Sequence, residues 1–241
     1  LKNSILGLRE ELRKAKEKTN GVIGVNIMVA LSNFSDMVKT AISEKADIIF
    51  SGAGLPLDLP SYLEKESKTK LVPIVSSSRA AKLICEKWRN NYDYLPDAIV
   101  VEGPKAGGHL GYKNDQIEDE HFSLEHIVPE VIEVIKAYEK SGHCKIPVIA
   151  AGGIADGRGI AAAFMLGAKG VQMGTHFVVT DESQVHENYK ERIIKAKDID
   201  SRVTGRTTGH PVRALRNDMT RKYLELENAG AGFEELEKLY E

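Results

Sequence analysis

Short runs rich in β-branched residues recur along this chain at nearly constant spacing. They begin at Val22, Asp47, Leu71, Asp97, Ile146 and Lys169. Their starts are separated by 25, 24, 26, 49 and 23 residues, and each interval except the fourth matches one strand followed by one helix. This spacing predicts six repeated strand-helix units, with one interval of double length.

The segments between these runs carry the period of an amphipathic helix. The clearest stripe, with apolar side chains at i, i+3, i+4 and i+7, consists of Leu124, Ile127, Val128, Val131, Ile132, Ile135 and Tyr138. Residues 5–15, 34–42, 80–88 and 160–166 have similar stripes. Gly167 directly follows the last stripe, at the position where helices often end with a glycine in the left-handed conformation. Alternating strands and helices predict a parallel sheet covered by helices.

The long fourth interval contains residues 111–123, a polar stretch with neither period. We expect there a long loop at the carboxyl end of a strand, where parallel α/β proteins place their ligands. Six strands do not close a barrel, which needs eight. The chain is therefore either an open six-stranded sheet or a barrel whose first two strands belong before Leu1. The stretch from Ser201 onward is Arg-rich and helical without a clear strand, which predicts a small cap or subdomain.

The composition restricts the class of protein. The 241 residues include 33 Lys plus Arg against 35 Asp plus Glu, and 42% are apolar, which is typical of a globular protein with a core. This balance gives no overall field for nucleic acid or an anionic membrane. The two cysteines lack CxxC spacing, and no apolar run approaches the roughly 20 residues of a membrane helix. We expect a cytoplasmic protein with neither nucleic acid nor membrane as a partner.

Two glycine turns follow the fifth and sixth predicted strands, Gly152-Gly153 and Gly174-Thr175. Successive N–H groups at such turns, helped by the N-terminus of a following helix, form an anion site. Each turn alone is equally well explained as a tight chain reversal, but two on adjacent strands favour a phosphate-bearing cofactor. The sequence has neither the GxGxxG fingerprint nor a GxxxxGK[ST] loop, which argues against a Rossmann dehydrogenase or a kinase.

The fourth predicted strand ends in VVEGPKAGGHLG, which places Glu102 and His109 at the ligand-facing edge of the sheet. A histidine at such a position can act as a general acid or base. A loop histidine taken alone is more often a solvated bystander. The position of His109 at this edge is what favours a catalytic role.

Three segments together resemble the nitronate monooxygenase family, formerly called 2-nitropropane dioxygenases, whose members are FMN-dependent TIM barrels. The segments are AGGHLG, GVNIMV and IPVIAAGGIADGRGIAAAFMLGAKGVQMGT. The resemblance runs from about Ile5 through GRTTGHPVRALRN, and AGGH and QMGT are specific in combination. It implies an α/β fold, a (β/α)8 barrel seen from its third strand onward, with the barrel domain at residues 1–200 and a helical cap at residues 201–241.

The resemblance also implies FMN as the cofactor and a set of site residues. His109 matches the family's catalytic histidine, while Asn26 and Glu102 match polar contacts to the flavin ring. Gly107 and Gly108 would let the chain pass close to the isoalloxazine. The remaining cofactor contacts would be Gly152, Gly153, Gln172, Met173, Gly174 and Thr175, of which the glycines and Thr175 would hold the phosphate.

The activity implied by the resemblance is oxidation of small nitronates or nitroalkanes by O2, with His109 stabilising the anion or exchanging a proton. The flavin-type enoyl-acyl carrier protein reductases share these motifs, so NADH-dependent reduction of an enoyl thioester is the alternative, and only then is acyl carrier protein a partner. A non-catalytic flavin-binding barrel is a further alternative. A homodimer is compatible with the sequence. Lys105 departs from the family pattern, which often has an acidic or neutral residue there.

Three other features are assigned no catalytic role. Cys85 lies in a helical stripe and Cys144 precedes a strand at its opposite end, so neither is predicted to be the nucleophile of a purine-nucleotide dehydrogenase. The acids and histidines of residues 118–126 lack metal-binding spacing, and no metal is predicted. The basic segment 201–222 is interpreted as a solvated, salt-bridged face, although attraction for an anionic substrate or acidic carrier is the other interpretation.

Overall fold

A six-stranded parallel sheet forms the centre of the computed structural model, which describes residues 2–240 and the side chains of residues 4–239. Within residues 2–240 the strands are β1 (Gly24–Met28), β2 (Ile48–Gly52), β3 (Lys70–Val75), β4 (Ile99–Glu102), β5 (Gly108–His109), β6 (Val148–Ala151), β7 (Gly170–Gln172), β8 (Ser201–Thr204) and β9 (Val212–Leu215). The large sheet has the order β1-β2-β3-β4-β6-β7, with every pair parallel. These are the six strands that the sequence spacing predicts.

Nine α-helices accompany the strands within residues 2–240. They are α1 (Lys2–Lys18), α2 (Phe34–Ser43), α3 (Ser78–Tyr92), α4 (Leu124–Gly142), α5 (Gly157–Met165), α6 (Thr175–Val178), α7 (Glu187–Lys195), α8 (Asp218–Asn228) and α9 (Phe233–Glu237). Every predicted helical stripe lies in one of them, except that Leu166, the last residue of the stripe at 160–166, is the C-cap of α5. Gly167 has φ +101°, the left-handed conformation expected after α5. In this part of the chain, no helix combines the length and apolar character needed to cross a membrane.

The two faces of the large sheet have different surroundings because side chains alternate along each strand. One face packs under the helices, and its members, including Ile49, Val101 and Ala150, are fully buried in the main core. The opposite face carries a smaller apolar cluster built around Val72 and Val100. Consecutive βα units of this kind curl into a half-barrel whose concave side is this second face.

A second, three-stranded antiparallel sheet caps the carboxyl end of the large sheet; we call it the cap sheet. Its order is β5-β9-β8, and Gly108 pairs with Arg213 while His109 pairs with Val212. The expectation that residues after Ser201 form no clear strand is therefore wrong. Both β8 and β9 lie in that stretch, and β9 finds its partner about a hundred residues earlier, in the loop that follows β4.

The long loop between β4 and α4 has the irregular structure predicted for residues 111–123. It contains short 3-10 turns at Asn114–Gln116 and Glu120–Phe122 and no longer element. The loop is tied to the cap sheet by Arg206, which donates hydrogen bonds of 2.8 Å to Asn114 Oδ1 and to Glu118 Oε1. The loop and the cap sheet thus form one layer above the strand ends.

Candidate functional site

The two glycine turns predicted to bind phosphate are neighbours in space. Ala151 pairs with Gln172 across β6 and β7, so Gly152-Gly153 and Met173-Gly174 leave adjacent strands at the same level. Glu102 pairs with Ala151 on the other side, which brings the end of β4 to the same edge. The loops that follow the neighbouring strands β4, β6 and β7 therefore begin close together at one edge of the sheet.

The conformation of the first turn is required by the protein itself. Gly152 has φ +96° and Gly153 has φ +76°, a region that L side chains rarely adopt. A Cβ on Gly152 would lie 3.0 Å from the carbonyl oxygen of Gly103, and a Cβ on Gly153 would lie 2.9 Å from Cβ of Lys105. The chain's own packing is thus a sufficient reason for glycine at these two positions.

Gly107 and Gly174 differ, because neither their backbone conformation nor packing against the described residues 4–239 requires them to be glycine. Neither has a positive φ, and Gly174 has φ −96°. A Cβ on Gly174 would meet no atom within 4 Å, and one on Gly107 would meet only Thr175 Oγ1, at 4.0 Å. Open space therefore lies over both glycines, and Gly107 of the loop after β4 faces Thr175 of the turn after β7. A ligand that approaches the backbone closely is a physical reason for two such glycines.

The expected contribution of the following helix to an anion site is wrong for α5. The Asp156 carboxylate accepts hydrogen bonds from the N–H groups of Arg158 and Gly159, at 3.0 and 2.9 Å, and caps the helix. Arg158 also forms an ion pair with Asp156 at 3.0 Å, and the hydrogen bonds from the Gly159 N–H and from the Arg158 side chain hold the pKa of Asp156 below its usual range. A carboxylate already occupies this helix end, so an anion must be held by the turns themselves.

Glu102 lies at the end of β4 on the concave face of the sheet. Burial raises the pKa of its carboxyl from 4.5 to about 7. The neighbouring Tyr112 is buried and packs edge-on against Phe122, with ring centroids 6.0 Å apart. At neutral pH the Glu102 carboxyl is therefore close to half protonated.

His109 is exposed and stands on β5, the outer strand of the cap sheet. The backbone around it is fixed, because His109 pairs with Val212 and Leu110 donates to the carbonyl of Pro211 at 2.9 Å. Within residues 4–239, no side chain hydrogen-bonds the imidazole, which leaves both of its nitrogens available to a ligand. The residue lies two positions after Gly107 in the loop that follows β4.

Arg213 supports this loop and was missed by sequence reasoning. Its Nε and Nη2 donate to the carbonyl oxygen of Pro104 at 3.2 and 3.1 Å, and its Nη1 donates to Ser201 Oγ at 2.9 Å. Arg213 is half-buried and pairs with Gly108 in the cap sheet. In the sequence, Arg213 is visible only as one member of a basic segment. Its partner is the backbone carbonyl of Pro104, and a contact to the backbone cannot be predicted from the pattern of side chains.

The other predicted cofactor residues are spread along the concave face. Asn26 is exposed on β1, and the strand register places it on the same face as Glu102 and Gln172. However, β1 and β7 are the two outer strands of the large sheet, so Asn26 and Gln172 lie at its opposite edges. Met173 is half-buried next to Gln172.

The three features that were assigned no catalytic role are Cys85 with Cys144, the acids and histidines of residues 118–126, and the basic segment 201–222. Cys85 is fully buried and burial raises the pKa of its thiol to about 12. Among the described residues, no group of three or more His, Cys, Asp and Glu side chains has the arrangement of a metal site, and His121 instead binds Asp119 at 2.8 Å. In the basic segment, Arg206 pairs with Glu118 and Arg221 pairs with two acids of its own helix.

Comparison with known proteins shows the family to which this chain belongs. The family model described as nitronate monooxygenase matches residues 4–239. A Staphylococcus saprophyticus protein named "Probable nitronate monooxygenase" is 31% identical over 203 residues, which cover 83% of this chain and 53% of that protein. A Mycobacterium tuberculosis protein named (3aS,4S,5R,7aS)-5-hydroxy-7a-methyl-1-oxo-octahydro-1H-indene-4-carboxyl-CoA dehydrogenase is 31% identical over 226 residues, which cover 94% of this chain and 57% of that protein. The chain thus spans about half the length of these relatives.

Solved structures show the same fold. FabK from Thermotoga maritima superimposes with a TM-score of 0.77 at 39% identity, covering 97% of this chain and 65% of that chain. Nitroalkane oxidase from Streptomyces ansochromogenes superimposes with a TM-score of 0.70 at 21% identity, covering 90% of this chain and 68% of that chain. The six βα units described above correspond to part of the TIM-barrel-like fold of these proteins.

Proposed function

This chain belongs to the nitronate monooxygenase family, and from that premise we propose that it is an FMN-dependent oxidoreductase that oxidises small nitronates or nitroalkanes with O2. The family and its curated members are oxidoreductases. The observation that carries the cofactor proposal is the open space over Gly107 and Gly174, two glycines that neither backbone conformation nor packing requires. An extended planar group with a phosphate is the ligand that this space and the family favour.

The residues at the strand ends fit an FMN phosphate. The free N–H groups at the start of the turn after β7, at Gly174 and Thr175, and the turn at Gly152 and Gly153 would hold it from two sides. Thr175 adds a hydroxyl donor next to Gly107. Bound there, FMN would supply the redox chemistry, since amino-acid side chains do not accept electron pairs from carbon.

The chain's own residues would bind the substrate and move its proton. An exposed imidazole on a backbone fixed by two hydrogen-bonded strands can pair with a nitronate anion, or take the proton from the α-carbon of a nitroalkane. His109 has that position. Glu102, with its pKa near 7, would be neutral for part of the time and so would repel an anionic substrate or cofactor less than a fully ionised carboxylate at neutral pH.

A second candidate is NADH-dependent reduction of an enoyl thioester, with His109 donating the proton. Two findings favour it: Thermotoga maritima FabK is 39% identical over 97% of this chain, and the Mycobacterium tuberculosis relative is named as a dehydrogenase of a CoA thioester. Acyl carrier protein would be the partner in this case. The basic segment gives it less support than expected, because several of its arginines are already paired.

One experiment separates the two reactions. The protein is reconstituted with FMN, and flavin reduction is followed anaerobically with propionate 3-nitronate, with a nitroalkane, and with NADH plus a crotonyl thioester. The first proposal predicts rapid reduction by the nitronate, slower reduction by the nitroalkane, and re-oxidation by O2. Rapid reduction by NADH with turnover of the thioester would replace it with the second candidate. A protein that is colourless after unbound FMN has been removed would contradict both proposed reactions.

A further inference from the structure

A cavity of about 510 Å³ lies between helices α4 and α5, on the helix-covered side of the large sheet. Its floor includes Ala150, whose side chain points away from the concave face because the next residue, Ala151, belongs to the cluster on that face. A volume of this size is within the range of small-molecule sites in proteins, which is roughly 300–1,000 Å³. The cavity therefore has room for a ligand, and it opens on a different side of the sheet from the proposed flavin site.

The walls of the cavity are apolar. They are built from Leu124, Ile154, Ala162, Ala163, Met165 and Leu166. Met165 is 88% exposed, so it extends the apolar wall of the cavity into the solvent. Contact with an aliphatic chain would remove this surface from water.

Two charged side chains stand at the rim, and only one of them has its partners in place. The Glu125 carboxylate accepts hydrogen bonds from its own N–H and from the Ser123 hydroxyl, and these, with the nearby Lys105 charge, lower its pKa. Lys105 is exposed, and within residues 4–239 its ammonium group makes no hydrogen bond or ion pair. Within these residues, the Lys105 ammonium group is thus the hydrogen-bond donor left available at the rim, next to the ionised Glu125 carboxylate.

The position of Lys105 is fixed by the turn after β6. A Cβ on Gly153 would lie 2.9 Å from the Cβ of Lys105, so the lysine stem crosses directly over this glycine. Of the predicted cofactor residues, only Gly152 and Gly153 contribute to the cavity, whereas Gly107, Gly174 and Thr175 do not. The cavity and the proposed flavin site thus share one turn but not their interiors.

We propose that this cavity binds a medium-chain aliphatic carboxylate, with the alkyl chain between α4 and α5 and the carboxylate paired with Lys105. The apolar walls favour the chain because it leaves water, and the unpaired ammonium group favours a negatively charged end. The site does not depend on the proposed reaction. It also gives a role to the lysine that departs from the family pattern.

The test is isothermal titration of the full chain with decanoate and with 1-decanol, which has the same chain length and no charge. Wild-type protein is expected to bind decanoate saturably with one-to-one stoichiometry. Lys105→Met should weaken decanoate binding about fivefold to tenfold and leave 1-decanol binding unchanged, because only the charge pair is lost. Lys169→Met, which removes an exposed lysine outside the cavity, is the matched control.

A second pair of variants tests the location. Ala162→Phe places a ring in the cavity and should abolish binding of both ligands, while Ala161→Phe adds the same ring to an exposed position of α5 that does not line the cavity. Equal decanoate affinity in Lys105→Met and Lys169→Met would overturn the proposal, as would equal affinity in the two phenylalanine variants. Competition between FMN and decanoate would also overturn it, because the cavity would then be part of the flavin site.

Discussion

The Tyr112 hydroxyl donates a hydrogen bond to the backbone carbonyl of Glu102, with 2.5 Å between the two oxygens. The bond ties the long loop after β4 back to the end of its own strand. It also brings the Tyr112 hydroxyl close enough to Glu102 for the two groups to interact electrostatically, and the same burial that raises the pKa of Glu102 raises that of Tyr112. The apolar environment at this strand end is therefore the reason why the Glu102 carboxyl titrates near neutral pH.

Replacing Glu102 with Gln is expected to stabilise the flavin-free protein at pH 8 and to have little effect at pH 4. The unfolded carboxyl loses its proton near 4.5, whereas the folded one keeps it to about 7. Between these values the folded state binds more protons, so wild-type stability falls as pH rises through this window. Gln has no proton to lose, and its advantage should reach about 3 kcal/mol above pH 7.

Urea unfolding at pH 4, 6 and 8 measures this difference. Glu182→Gln, at an exposed position of the chain, is the control and should show no such trend between pH 4 and 8. A stability difference for Glu102→Gln that is the same at all three pH values would show that burial does not raise the pKa of this carboxyl.

Replacing Arg213 with Met is expected to loosen the loop that carries His109. The guanidinium group joins Pro104 and Ser201, and hydrogen bonds of a charged, half-buried group contribute about 1.5–3 kcal/mol. We expect a loss of stability of about 2 kcal/mol and a fall in kcat of about tenfold, with FMN affinity retained. Arg213→Lys should recover part of kcat.

Steady-state kinetics and urea unfolding of both variants check this prediction. A kcat equal to that of wild type in a destabilised Arg213→Met protein would mean that Arg213 holds the fold together but does not position the catalytic loop.

Replacing His109 with Ala is expected to reduce turnover by about a hundredfold or more while FMN stays bound. The residue is exposed, so stability should change by less than about 0.5 kcal/mol. Turnover of the proposed nitronate substrate and flavin absorbance of the purified protein are the two measurements. His121→Ala, also exposed but outside the site, is the control, and full activity of His109→Ala would remove this residue from the mechanism.

The large sheet and its helices were predictable because their signals are local. Each strand is a β-branched run within one βα unit, and each helix repeats its apolar positions at a period of 3.6 residues. The stripe from Leu124 to Tyr138 lies within α4, and Gly167 has the conformation that a helix end requires. Parallel pairing of successive units then brings the two glycine turns together without further information.

The cap sheet was not predictable for the opposite reason. His109 pairs with Val212 and Arg213 binds the carbonyl of Pro104, across more than one hundred residues in each case. The three strands of the cap sheet are only two to four residues long, so none of them carries a recognisable period. The Asp156 cap was similarly hidden, because the sequence does not tell whether a carboxylate or a ligand satisfies a helix N-terminus.

Replacement of Gly153 by Asp would test the phosphate turns poorly, because φ is +76° there and the new side chain would meet Lys105. Gly174 avoids both problems. Its φ is −96° and the space around it is open, so Gly174→Ala and Gly174→Asp should both fold with wild-type stability. The second variant places a carboxylate where the FMN phosphate is proposed to lie.

The most direct test of the account is therefore a titration of FMN, followed by quenching of flavin fluorescence, with wild type, Gly174→Ala and Gly174→Asp. We predict saturable one-to-one binding by the wild type, a modest weakening in Gly174→Ala, and at least a tenfold weakening in Gly174→Asp from charge repulsion and lost space. Equal FMN affinity in all three proteins, or no binding by the wild type, would contradict the proposed flavin site.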